Sequence, residues 1–131
     1  MNQFEVVFPG GKKVDVLHGN FTIKTDQAKL SGGDGSAPEP FTLFLASIAS
    51  CAGIYAKVFC EKRSIDTADM KLHMGFVYDQ ARQMIGTIRM QLAVPPDFPE
   101  KYDDAVIRAM NSCAVKRHMH PDVEFETTVV R

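Results

Sequence analysis

Hydrophobic positions along this chain alternate, then cluster, then alternate again. Phe4, Val6 and Phe8 recur every second residue up to the turn residues Pro9-Gly10-Gly11. Val14 and Val16 keep that period to His18, Gly19-Asn20 makes a tight turn, and Phe21, Ile23 and Thr25 resume it. A period of two belongs to strands with one covered face, and short turns join such strands antiparallel. The amino-terminal part therefore predicts a three-stranded meander. The stretch to Ser36 is turn-rich, with Gly32-Gly33-Asp34-Gly35 permitting positive φ. From Pro40 no charged side chain occurs until Lys57, and small residues (Ala46, Ser47, Ala49, Ser50, Ala52, Gly53, Ala56) surround Cys51. This reads as a helix opened by proline and ending near Arg63-Ser64, with Lys57, Lys62 and Arg63 at its negative end. A helix apolar all round is expected to be buried on every side.

Alternation then returns. Leu72, Met74, Phe76 and Tyr78 predict a strand, Asp79 to Arg82 a turn, and Met84, Ile88, Met90, Leu92 and Val94 a long returning strand broken by Pro95-Pro96. A second helix begins near Pro99, with Glu100, Asp103 and Asp104 at its positive end. Tyr102, Val106, Ala109 and Cys113 fall on one helical face, which carries Cys113 toward the core and the first helix. The helical signal reaches about His118, Pro121 ends it, and Val123, Phe125 and Val129 supply a last strand. The order βββ-α-ββ-α-β with antiparallel sheets around a long buried central helix is α+β. One domain, residues 1–131, is expected, without repeats. A helix that one small sheet cannot cover on both sides further predicts a homodimer sharing its core.

Composition narrows the function. The 131 residues are 45% hydrophobic and 24% charged, with a formal net charge of −1. That balance argues against nucleic acid or an anionic membrane as the main partner. The central apolar run lies at the short limit for a membrane span and sits among alternating strands that need a core. The amino terminus lacks the basic-then-apolar order of a signal peptide, and three cysteines form no disulfide-dense pattern. A cytoplasmic protein is expected, in which cysteines are more often reactive than structural.

Cys51 and Cys113 are the candidate reactive pair, two thiols on converging faces. Cys51 taken alone could be a small buried hydrophobe, whereas Cys60 lies half a helical turn round from it, faces elsewhere and is not expected to take part. Cys113, His118 and His120 lack the paired Cys-x-x-Cys ligands of strong zinc motifs, and cations at a helix carboxyl end need no metal. Neither a metal nor a cofactor is expected.

The stretch GGDGSAPEPFTLFLASIASC, followed much later by SCAVKRHMHPDVEFETTVV, resembles the OsmC/Ohr family (osmotically inducible protein C and organic hydroperoxide resistance protein). The likeness covers about Thr25 to Val130. It implies an intertwined homodimer with two active sites at the interface, and reduction of hydroperoxides by a two-thiol cycle. By position Cys51 matches the attacking cysteine and Cys113 the resolving one, with an external thiol as reductant. Phe44, Ile48 and Tyr55, at −7, −3 and +4 from Cys51, would wall a pocket for a small organic hydroperoxide or other apolar electrophile.

Two departures stand beside the resemblance. Thr42 occupies the place of the family's glutamate, with Glu39 close by, and no arginine precedes Arg63 to act as the family's activating cation. His18, in HGNF, is the cation nearest the expected place. The residues therefore leave three readings open: a dithiol hydroperoxide reductase, other thiol or persulfide chemistry on the same scaffold, and a non-enzymatic binder of apolar ligands.

Overall fold

The computed structural model describes residues 3–131, and the chain divides into two compact units, the first ending at Ala46 and the second running from Ser47 to Arg131. In the first, β1 (Glu5–Gly10), β2 (Lys13–His18) and β3 (Phe21–Thr25) form the expected antiparallel meander in the order β1-β2-β3. Val6, Val16 and Ile23 oppose one another across it, so the apolar period of each strand falls on one face. Phe4, Val6, Phe8, Phe21 and Ile23 are exposed. Gly19 turns β2 into β3 with φ of 56°, which glycine adopts without strain.

The loop that follows is tied around one carboxylate. Asp26 is buried beneath its own loop and accepts the backbone N–H of Gln27 (2.8 Å), Asp34 (3.3 Å) and Ser36 (3.1 Å), and the Ser36 hydroxyl (2.6 Å). These donors, the Ser36 hydroxyl foremost, lower its pKa to about 2. Asp26 N–H in turn donates to the Pro38 carbonyl (3.2 Å), two residues before helix α1 (Pro40–Glu61) begins. Gly33 is obligatory here, because a Cβ on it would lie 2.1 Å from the Gln27 carbonyl oxygen.

In the second unit, β4 (Lys71–Asp79), β5 (Met84–Ala93) and β6 (Glu124–Val130) form a sheet with β5 in the middle. Ile85, Ile88, Met90 and Leu92 of β5 are buried, each worth roughly 2 kcal/mol of transfer free energy. The period slips at Gly86, where Val77 opposes Thr87 but Tyr78 opposes Ile85. The extra residue is a bulge that keeps Ile85 and Ile88 both inward.

Three expectations need correction. The sheets are not wholly antiparallel: β6 pairs parallel to β5, from Thr87 opposite Glu124 to Ala93 opposite Val130. The helical crossover after β5 is the length of chain that parallel pairing requires. The second helix is also not continuous to His118. It divides into α2 (Asp103–Asn111), preceded by a 3-10 turn at Glu100–Tyr102, and α3 (Ala114–Arg117). Finally, α1 is not buried on every side. Ile48, Ala52, Ala56, Phe59 and Cys60 are buried, whereas Phe41, Phe44, Ile54 and Val58 are exposed. By length and composition α1 could cross a membrane, yet only 28% of its most apolar window is buried within the chain. In the second unit its small residues Gly53 and Ala56 line a groove together with Leu72 and Leu92 of the sheet, and Phe59 packs edge-on against Tyr102. One sheet and two short helices cover one face of a helix and leave the other open.

Candidate functional site: two thiols

Cys51 sits in the middle of α1, beside the buried Ala52 and one turn after the buried Ile48, and is itself partly exposed. Cys113 is 0% exposed. It occupies the junction between α2 and α3, because Ser112 leaves helical geometry and Cys113 is extended (φ −62°, ψ 148°). It is the amino-terminal cap of α3, its Sγ accepting the Lys116 backbone N–H at 3.4 Å. Cys51 is close enough to Cys113 to act on its thiol electrostatically, and all three cysteines are free.

Burial pushes the Cys113 thiol above its ordinary pKa. The Lys116 N–H and ammonium act in the opposite direction, and the neighbouring Cys51 thiol adds to the rise. The Lys116 ammonium lies 4.4 Å over the Phe125 ring; burial lowers its pKa, and the charge of Cys113 resists that. Burial also pushes Cys60 up, against Arg63 and Lys57. Cys60 is fully buried in the core, as its bearing on the helix implies.

Of the other expected residues, His18, Glu39, Thr42 and Phe44 belong to the first unit, and Ile48 and Tyr55 to the second. Thr42 and Phe44 are exposed on the first turns of α1, where Phe44 stacks on Phe41 with ring centroids 5.5 Å apart. Ile48 is 0% exposed and belongs to the core rather than to an open wall. Tyr55 borders an open apolar groove of about 430 Å³ shared with Phe59, Arg63, Ala109 and Ser112. His18 is occupied within the meander, its ring stacked on Phe4 (4.2 Å) and its Nδ1 paired with the Gln3 carbonyl (3.0 Å). The Glu39 side chain makes no hydrogen bond or ion pair among the described residues, and its carbonyl accepts the Leu43 N–H. The same residues contain no group of three or more His, Cys, Asp or Glu able to hold a metal.

Lys116 does lie among cations in the last turn of α3, but sequence reasoning did not foresee that its N–H bonds Cys113. The available signal was spacing: a cysteine three residues before Lys116 is the separation of a cap from the N–H it bonds. Arg63, expected at the negative end of the first helix, does cap it there: its guanidinium stacks 3.6 Å over Phe59 and donates to the Phe59 carbonyl (3.0 Å).

Fold and site together define a small α+β protein with two adjacent free thiols, one in a long helix and one capping a short one. The chain belongs to the OsmC-like protein family, which it matches over residues 33–128. Among solved structures it is similar to an osmotic stress induced and detoxification response protein from Psychrobacter arcticus 273-4. The two share 20% identity with a TM-score of 0.83, over 99% of this chain and 96% of that one. It is also similar to an organic hydroperoxide resistance protein OsmC from Legionella pneumophila, at 15% identity and a TM-score of 0.70 over 100% and 97% of the two chains. A third is the organic hydroperoxide resistance protein OhrB of Bacillus subtilis, at 15% identity and a TM-score of 0.62 over 98% of each chain. Among curated proteins, none is similar enough in sequence to match.

Proposed function

We propose that this protein is a thiol-dependent reductase of small organic hydroperoxides that cycles through a Cys51–Cys113 disulfide. The observation that carries the reading is that these two free thiols are neighbours that act on each other electrostatically, one partly exposed and one buried. The family and the names of the Legionella and Bacillus neighbours support it.

In the cycle the Cys51 thiolate attacks a hydroperoxide oxygen. The O–O bond breaks, the alkoxide takes a proton and leaves as an alcohol, and Cys51 becomes a sulfenic acid. Cys113 attacks that sulfur and expels water, forming the disulfide before over-oxidation can occur. Two external thiols then restore both cysteines and leave as their own disulfide. No cofactor takes part. The apolar wall at Tyr55, one turn beyond Cys51, favours an alkyl over a hydrophilic peroxide.

The working unit in this reading is a homodimer. Phe41, Phe44, Ile54 and Val58 on α1 and Phe4, Val6, Phe8 and Phe21 on the meander are exposed, a load of apolar surface that monomers rarely carry. The two compact units act as one family domain, since the matched residues 33–128 run across their boundary. Free thiols fit the reducing cytoplasm.

The test is to add an organic hydroperoxide to the reduced protein and map the thiols by mass spectrometry. One alcohol released per Cys51–Cys113 disulfide supports the reading, and two thiols left free end it. A second reading, thiol or persulfide chemistry without peroxide turnover, draws on Thr42, which brings no carboxylate to the first turn of α1. A stable Cys51 adduct with no alcohol released is its mark.

A further inference from the structure

The two sulfurs are unequal in a way that gives disulfide reduction a direction. Thiol–disulfide exchange requires the incoming thiolate to reach one sulfur in line with the S–S bond, while the other departs as a thiolate. Cys51 is partly exposed and Cys113 is 0% exposed, so only Cys51 offers an incoming thiol a path. The sulfur that departs is then Cys113, and this chain prepares for a negative charge there. The Lys116 backbone N–H already bonds Cys113 Sγ at 3.4 Å. The Lys116 ammonium interacts electrostatically with the same sulfur and packs 4.4 Å over Phe125. Among the described residues it has no carboxylate partner to neutralise it. Lys116 is half-buried, and a thiolate appearing beside its ammonium would supply a counter-charge that no carboxylate provides.

We infer that external thiols reduce the disulfide by attack at Cys51, with Lys116 stabilising the Cys113 thiolate as it leaves. In the first exchange the reductant sulfur bonds to Cys51, the Cys51–Cys113 bond breaks, and its electron pair stays on Cys113. A second reductant thiolate attacks the reductant sulfur of that mixed disulfide. It releases the Cys51 thiolate and leaves as the oxidised external disulfide. This assignment rests on the dithiol reading above, but its test is separable because the disulfide can be made without a hydroperoxide.

The full-length protein is oxidised with diamide, treated briefly with one equivalent of glutathione, quenched in acid and alkylated with N-ethylmaleimide for peptide mapping. Glutathione on Cys51 and maleimide on Cys113 is the expected pattern; glutathione on Cys113 overturns the assignment. Lys116→Met is expected to slow glutathione reduction of the disulfide about tenfold through the poorer leaving thiol, and Lys116→Arg to restore most of the rate. Reduction of Lys116→Met at the original rate removes Lys116 from the step. Should Lys116→Met fail to fold, the mapping on the unaltered protein still decides which sulfur is attacked. Protein that ignores hydroperoxides yet gives the expected map costs only the reductase reading. If diamide forms no Cys51–Cys113 bond, both fall.

Discussion

Asp26 and Cys113 are each 0% exposed, but the regions around them hold them in opposite states. Four donors converge on the Asp26 carboxylate, and it stays ionised down to about 2. Cys113 receives a single N–H bond, from Lys116, and burial pushes its thiol upward. The contrast lies in the number of donors rather than in the depth of burial. A carboxylate held by four donors, three on one oxygen and one on the other, is kept in its charged state and anchors a loop. A thiol with one donor and a nearby ammonium can exchange its proton for a bond to sulfur at modest cost, which redox chemistry needs.

The comparison can be broken most strongly at Cys113. In Cys113→Ser the Cys51 sulfenic acid has no partner. Sustained hydroperoxide turnover is expected to fall to background, with Cys51 gaining two oxygens as a sulfinic acid in the mass spectrum. Sustained turnover in this variant would take Cys113 out of the cycle.

The next largest effect is architectural. In Gly33→Ala the new methyl would lie 2.1 Å from the Gln27 carbonyl oxygen and 2.8 Å from Asp26 Oδ1. The loop must open, at a cost of about 3 kcal/mol measured by urea unfolding. Gly75→Ala is the control, since nothing lies within 4 Å of the added methyl; it should change stability by about 0.5 kcal/mol or less.

The Asp26 carboxylate has its own pH signature. Its folded pKa is lowered from 3.8 to about 2, so the unfolded chain binds the proton more tightly. The stability it contributes is complete above the ordinary value and is lost as pH falls toward 2. Unfolding curves between pH 5 and pH 2 should be flatter for Asp26→Asn than for the unaltered protein. Equal slopes would shift the acid sensitivity to other carboxylates.

The smallest effect is expected at the third thiol. Cys60→Ala removes a fully buried sulfur from the core and should cost about 1 kcal/mol. Hydroperoxide turnover should remain unaltered, because Cys60 faces away from the Cys51–Cys113 pair.

What the sequence determined by itself was everything carried by short-range pattern. The meander strands follow from a period of two punctuated by Gly19-Asn20. Helix α1 follows from an uncharged run opened by Pro40, and β5 from the alternation ending at Pro95-Pro96. Cys51 and Cys113 were legible as a pair because the helical period carries Cys113 toward the first helix, and the resemblance named the same two residues. Tertiary structure decided the rest. β6 runs parallel to β5 because the helical crossover returns the chain to the end where β5 began, a matter of closure that no local window contains. The break at Ser112 that makes Cys113 a cap is a local event the apolar period does not register, since the cysteine stays in phase with Val106 and is buried either way. Exposure along α1 was undecidable from a helix apolar all round, because composition cannot say which face its own sheet covers. The Lys116 N–H reaches Cys113 Sγ because the chain leaves helical geometry at Ser112 and restarts at Ala114.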